Sequence, residues 1–283
     1  MWRDLVLPDG EMAAAEALRP GDPRLRGVAW RDLVKLSRSE TVYEIFIYAP
    51  WLAASLFFAD RGWFWAAAPC SFMCFLTCLR LSHNAQHNLV GVGRRGDDLI
   101  LLWLSVVMLW SNHAVKFNHL RHHKYMLREQ DIEGASARMS GLGALALGAL
   151  FQPMLALNAL RHGRRSIKLY VAAELALNVV WIGLVLFVFD WPALKYHVAV
   201  MAVGHLFTAF FCVWSVHHHS AGHLYPARTQ RGRLANILSY NMFLHVEHHL
   251  FPAVPTCHLH RLAERLDVAL PALAARQALP LAA

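Results

Sequence analysis

At 283 residues the chain is long enough to bury one sizeable core. Its 57% hydrophobic against 16% charged residues, with a mean hydropathy of +0.33, exclude an ordinary water-soluble globule. Five cysteines without a CxxC pair exclude a disulfide framework. The net charge of +8 is explained by anionic lipid headgroups, so no nucleic-acid partner is expected.

The first twenty residues, MWRDLVLPDGEMAAAEALRP, carry acids and prolines where a cleaved secretory signal needs an apolar run. Residues 1–42 are therefore expected to be a cytoplasmic segment. Two spans are predicted next, 43–59 and 63–82, joined only by Asp60, Arg61 and Gly62. Each approaches the roughly 20 residues that about 30 Å of hydrocarbon requires. Cys70, Cys74 and Cys78 share one face of the second span and read as packing or lipid-facing residues, as does Cys212 further on.

The apolar run 99–110 is too short to cross, and 141–160 carries Gln152, Pro153, Asn158 and several glycines. Both are expected to lie on the membrane surface. A second hairpin is predicted from spans 169–189 and 196–216 around the turn DWPALK, and 267–283 is left as a tail. Of 27 lysines and arginines, only Arg61 and Lys195 fall in the two hairpin turns. The positive-inside rule then places both termini and all long segments in the cytoplasm, of a bacterial inner membrane or the endoplasmic reticulum.

The 18 histidines are not scattered. HNAQH (His83, His87) begins as the second span ends, and i, i+4 spacing puts both rings on one helical face. HLRHH (His119, His122, His123) and HVEHH (His245, His248, His249) repeat an i, i+3, i+4 pattern, and HSAGH (His219, His223) leaves the fourth span. The topology returns all four to one boundary. Ten imidazoles exceed one zinc site, and two metal ions are the economical reading.

The order HxxxH, HxxHH, HxxHH, with LFPAVP after the last box, resembles the membrane fatty acid desaturases and their hydroxylase and carotenoid-ketolase relatives, from about Tyr43 to Leu266. The resemblance implies an all-α, four-span membrane domain over 43–266 with a cytoplasmic histidine cap. It implies a di-iron centre that activates O₂, with no catalytic residue apart from the metal ligands. Acyl-CoA desaturases take a further ligand from an Asn-x-x-x-His stretch after the fourth span. That makes His223 an expected ligand, with His219 standing where those enzymes have asparagine, a point at which the ketolases are more similar. The expected activity is desaturation of a fatty acyl or related lipid chain. The alternative is hydroxylation or ketolation of a lipid or carotenoid, and the rival class is a metal-binding or metal-transporting membrane protein.

GVGRRG at 91–96 matches a dinucleotide fingerprint in letters only, lacking a preceding strand or a βαβ unit, and reads as a loop. Without a flavin, haem or iron–sulfur signature, electrons are expected from a separate ferredoxin- or cytochrome b5-type donor. Arg94, Arg95, Arg164 and Arg165 are its candidate contacts. Asp131, Glu133 and Glu247 are candidates for orienting ligand imidazoles. His113, His217 and His218 flank the clusters without clean spacing and are expected at the surface, with contact to substrate or to a ligand ring as the alternative; His258 and His260 are expected at the surface. His205, Glu174 and Asn178 are expected to make interhelical hydrogen bonds.

Overall fold

The computed structural model describes residues 17–275 and is all-helical, with no strand among them. Twelve helices follow in order: α1 (Arg38–Phe46), α2 (Ala49–Asp60), α3 (Phe64–Gln86), α4 (Gly93–Met108), α5 (Asn112–Tyr125), α6 (Gly141–His162), α7 (Arg165–Phe187), α8 (Pro192–Leu206), α9 (Ser215–His217), α10 (Arg233–Leu238), α11 (His245–Leu250) and α12 (Leu259–Ala269). Four stretches are long and apolar enough to cross a bilayer: Arg38–Asp60, Phe64–Gln86, Gly141–His162 and Arg165–Phe187.

The first predicted pair of spans is present, opened by a capping box in which Ser37 and Glu40 satisfy each other's backbone N–H groups. Cys74 and Cys78 are fully buried on the inner face of α3. The fourth predicted span is not one straight helix: α8 and the 209–217 stretch meet at 41°. Residues Ala209–Trp214 between them are π-helical, which advances the register by one residue per turn.

The two stretches expected to lie on the membrane surface are both helical. Residues 99–110 belong to α4, which meets α5 at 116° through a left-handed Leu109 (φ 59°). The pair leaves the end of α3 and returns to it, since His87 and His119 meet. Buried carbonyls at the tip are met from α8, where His197 Nε2 bonds Val107 O at 2.8 Å and His205 Nε2 bonds Met108 O at 2.7 Å. Residues 141–160 lie in the continuous α6, a candidate span. Its small and polar residues serve packing. A Cβ on Gly148 would lie 1.7 Å from Leu206 O, so two backbones touch there, and Gln152 Nε2 donates to Thr208 Oγ1 at 3.3 Å.

At the end away from the histidines, the two predicted turns meet: Trp191 Nε1 donates to Asp60 Oδ1 at 2.6 Å. At the histidine end a cap is built from both ends of the described chain. Leu18, Leu25, Val28 and Leu33 share a core with Leu250, Leu262, Leu266 and Leu273. Buried Arg80 ties this cap to the first span, pairing with Glu44 and donating to Tyr240 O at 2.9 Å.

Candidate metal centre

Three short local patterns deliver the histidines. The last turn of α3 and its C-cap carry His83 and His87, α5 carries His119, His122 and His123, and α11 carries His245, His248 and His249. They converge as two groups, each with ligand-capable atoms within 4.8 Å of one another. The first is His83, His87, His119 and His248; the second is His122, His217, His245 and His249. His123 bridges them, its Nε2 lying 2.8 Å from His248 Nε2 and 3.2 Å from His119 Nε2, with its ring stacked 4.3 Å from His249.

What surrounds the rings decides which nitrogen faces inward. His217 Nδ1 lies 3.1 Å from the carbonyl of Pro226, an acceptor only, so this nitrogen carries the proton. Its Nε2 lone pair is then met by Nε2 of His122, His245 and His249 at 3.0, 2.9 and 3.2 Å. Asp131 Oδ2 lies 2.7 Å from His122 Nδ1, and Glu133 Oε1 lies 2.9 Å from His119 Nδ1. Carboxylates so placed orient a ligand ring and raise its basicity. Burial alone would raise the Asp131 pKa, but His122 and the backbone N–H groups of Gly134 and Leu127 hold it at about 2.

Burial first, then the neighbouring imidazoles, pushes His245, His248 and His249 well below the ordinary histidine range. These rings stay neutral and present lone pairs. His87 Nε2 is buried without a hydrogen-bond partner. Four converging lone pairs in each group, one of them orphaned, suit a cation better than each other. An imidazole-only set fits iron, copper, nickel or zinc.

The remaining predicted positions fall elsewhere. His219 and His223 are in neither group, because the helix ends at His217: His218 turns extended (ψ 140°) and His219 is left-handed (φ 54°). Without a helix over 219–223, the i, i+4 spacing brings no shared face. His217, expected at the surface, is 1% exposed and central to the second group. His258 is buried between Leu33 O and Glu40, whereas His260 is exposed. His113 is also buried, its Nδ1 2.6 Å from Glu174 and its ring stacked on Tyr170. Glu247 faces Thr229 and Arg231, fastening α11 to the preceding loop rather than orienting a ring. Asn178 is buried without a hydrogen-bond partner, unlike Glu174 and His205.

No curated protein matches the chain. The family model described as fatty acid desaturase does, over residues 61–278, which takes in all three histidine boxes and α12. With that match over most of its length, the chain belongs to the fatty acid desaturase family.

Proposed function

We propose that the protein is an O₂-dependent di-iron desaturase that introduces a double bond into a fatty acyl or related lipid chain. The supporting observation is the pair of four-histidine groups, with Asp131, Glu133 and Pro226 O fixing which nitrogens face inward, in a chain of this family. The proposed ligands are His83, His87, His119 and His248 for one iron and His122, His217, His245 and His249 for the other, with His123 shared or adjacent. Two such irons would supply O₂ activation and the oxidising power for an unactivated C–H bond. The chain's own tasks are to hold imidazoles neutral, orient them and keep water away.

The membrane arrangement belongs to the same proposal. The histidine end and both ends of the described chain face the cytoplasm, and residues 43–266 form the catalytic domain. The Asp60–Trp191 contact joins two hairpin turns on the far side. His122 and His217 share a group, so the chain between them crosses an even number of times. The α7 helix and the bent α8–α9 stretch supply two crossings, and α6 begins and ends on the histidine side.

Hydroxylation or ketolation would use the same centre. A metal transporter would need ligands along a path through the bilayer. Both groups lie at one end, and His197 and His205 on α8 each bond a carbonyl through Nε2 and join no metal group among the described residues, which counts against transport. Metal analysis of the purified protein, with lipid profiling of cells that make it, tests the reading. Two irons per chain and a lipid lighter by one H₂ are expected. A product heavier by one oxygen would replace desaturation with hydroxylation, and a chain that binds no iron would overturn both.

A further inference from the structure

The HSAGH stretch that stays outside both histidine groups lines a cleft of its own. His218, His219 and His223 face Leu127, Arg138 and Met139 across a cavity of about 380 Å³. No acidic side chain lines it. Asp131, behind Leu127, already serves His122 and two backbone N–H groups. Arg138 spends one nitrogen on the carbonyls of Leu127 and Arg128, both at 3.2 Å, and no described carboxylate pairs with it. Its charge is therefore unneutralised at the cleft.

The imidazoles complement that charge. His218 Nδ1 donates to Trp214 O at 2.8 Å, which leaves Nε2 as the ring's remaining hydrogen-bonding atom. His218, His219 and His223 do not form a third convergent metal group among the described residues, and a guanidinium beside them disfavours a cation. An oxyanion that also carries a hydroxyl, such as a phosphate monoester, meets both kinds of partner.

Position narrows the ligand further. Ser140 caps the apolar α6 directly after Met139, and Leu142, two residues on, is 79% exposed. The cleft thus opens where a lipid-facing helix begins, with Leu127 and Met139 supplying apolar wall. Consecutive residues separate it from the metal centre: His217 joins the second group, and His218 lines the cleft.

We propose that this cleft binds the phosphate head of a single-chain amphiphile. Taking that amphiphile as the enzyme's substrate rests on the lipid-oxidising function proposed above; the binding site does not.

The test is calorimetric titration of the full chain, in nanodiscs of zwitterionic lipid, with dodecyl phosphate, inorganic phosphate and dodecyltrimethylammonium. Dodecyl phosphate should bind, and Arg138→Gln should weaken it by about tenfold or more, as loss of a charge-assisted contact does. Arg138→Lys should recover part of the loss, and His223→Phe should weaken binding at unchanged iron content. Dodecyltrimethylammonium should show no dependence on Arg138. Inorganic phosphate binding as tightly as dodecyl phosphate would overturn the lipid source in favour of free phosphate. Equal dodecyl phosphate affinity in parent and Arg138→Gln would overturn the site, as would loss of iron from His223→Phe. A chain that oxidises no lipid yet binds dodecyl phosphate through Arg138 would sink the proposed reaction and keep the cleft.

Discussion

His217 and His218 are neighbours in the chain, yet only the first ring joins His122, His245 and His249. The difference comes from the π-helical stretch before them, which rotates the final turn, and from the extended backbone at His218. His217→Ala should lower bound iron from two toward one per chain, whereas His218→Ala should keep two; metal analysis of purified variants reads this. The metal-free protein carries a second residue-level signature. Burial depresses His245, His248 and His249, so between their folded and unfolded pKa values the unfolded chain binds more protons. Their contribution to stability is complete above about pH 6.5 and is lost as pH falls below it. Chelator-treated protein should melt progressively earlier from pH 7 to pH 5, and a flat profile would contradict buried neutral rings. The three boxes were legible in the sequence because ligand spacing within a helical turn is local information. The role of His217 was not, since it depends on a register shift three to eight residues upstream that composition does not announce.

The α6 helix is where packing overrode pattern. Its glycines and Pro153 look like features of a surface helix, but Gly148 is there because α8 passes at backbone distance. Gly148→Ala should cost about 1–3 kcal/mol through overpacking and lower the melting temperature. Gly183→Ala on α7, where a Cβ meets nothing within 4 Å, should be neutral or slightly stabilising. Length and hydropathy pass α6 as a span, while the shared position of His122 and His217 requires an even number of crossings between them. Single cysteines at positions 138 and 166, labelled from either side of sealed vesicles, decide between these. Both should react from the histidine side, and labelling from opposite sides would make α6 a true crossing. The V of α4 and α5 was beyond sequence reading for a related reason. A twelve-residue apolar run can lie flat or dip and return, and only the partners on α8 that cap its tip select the second.

Across the whole molecule, charge and hydropathy made the membrane class and the gathering of histidines at one end readable before any coordinates. Exposed Arg94, Arg95, Arg164 and Arg165 form no ion pair among the described residues, and we propose them as contacts for an acidic electron donor. Reversing these charges should slow donor-supported turnover more at low than at high ionic strength. A loss independent of salt would remove the electrostatic dock. The cap has a different lesson, because its core joins residues 18–33 to residues 244–273. Translation makes the first of these before the second, with an interval of roughly 10–40 s between them at ordinary elongation rates. Throughout that time Leu18, Leu25, Val28 and Leu33 have no partner from α12, and the third box has not been made. The apolar helices before α8 can be made and packed first, but neither histidine group can be complete until α11 has been made. Any ion the two groups hold can therefore be bound only after α11 has been made, and until then the early apolar residues of the cap stay without their later partners.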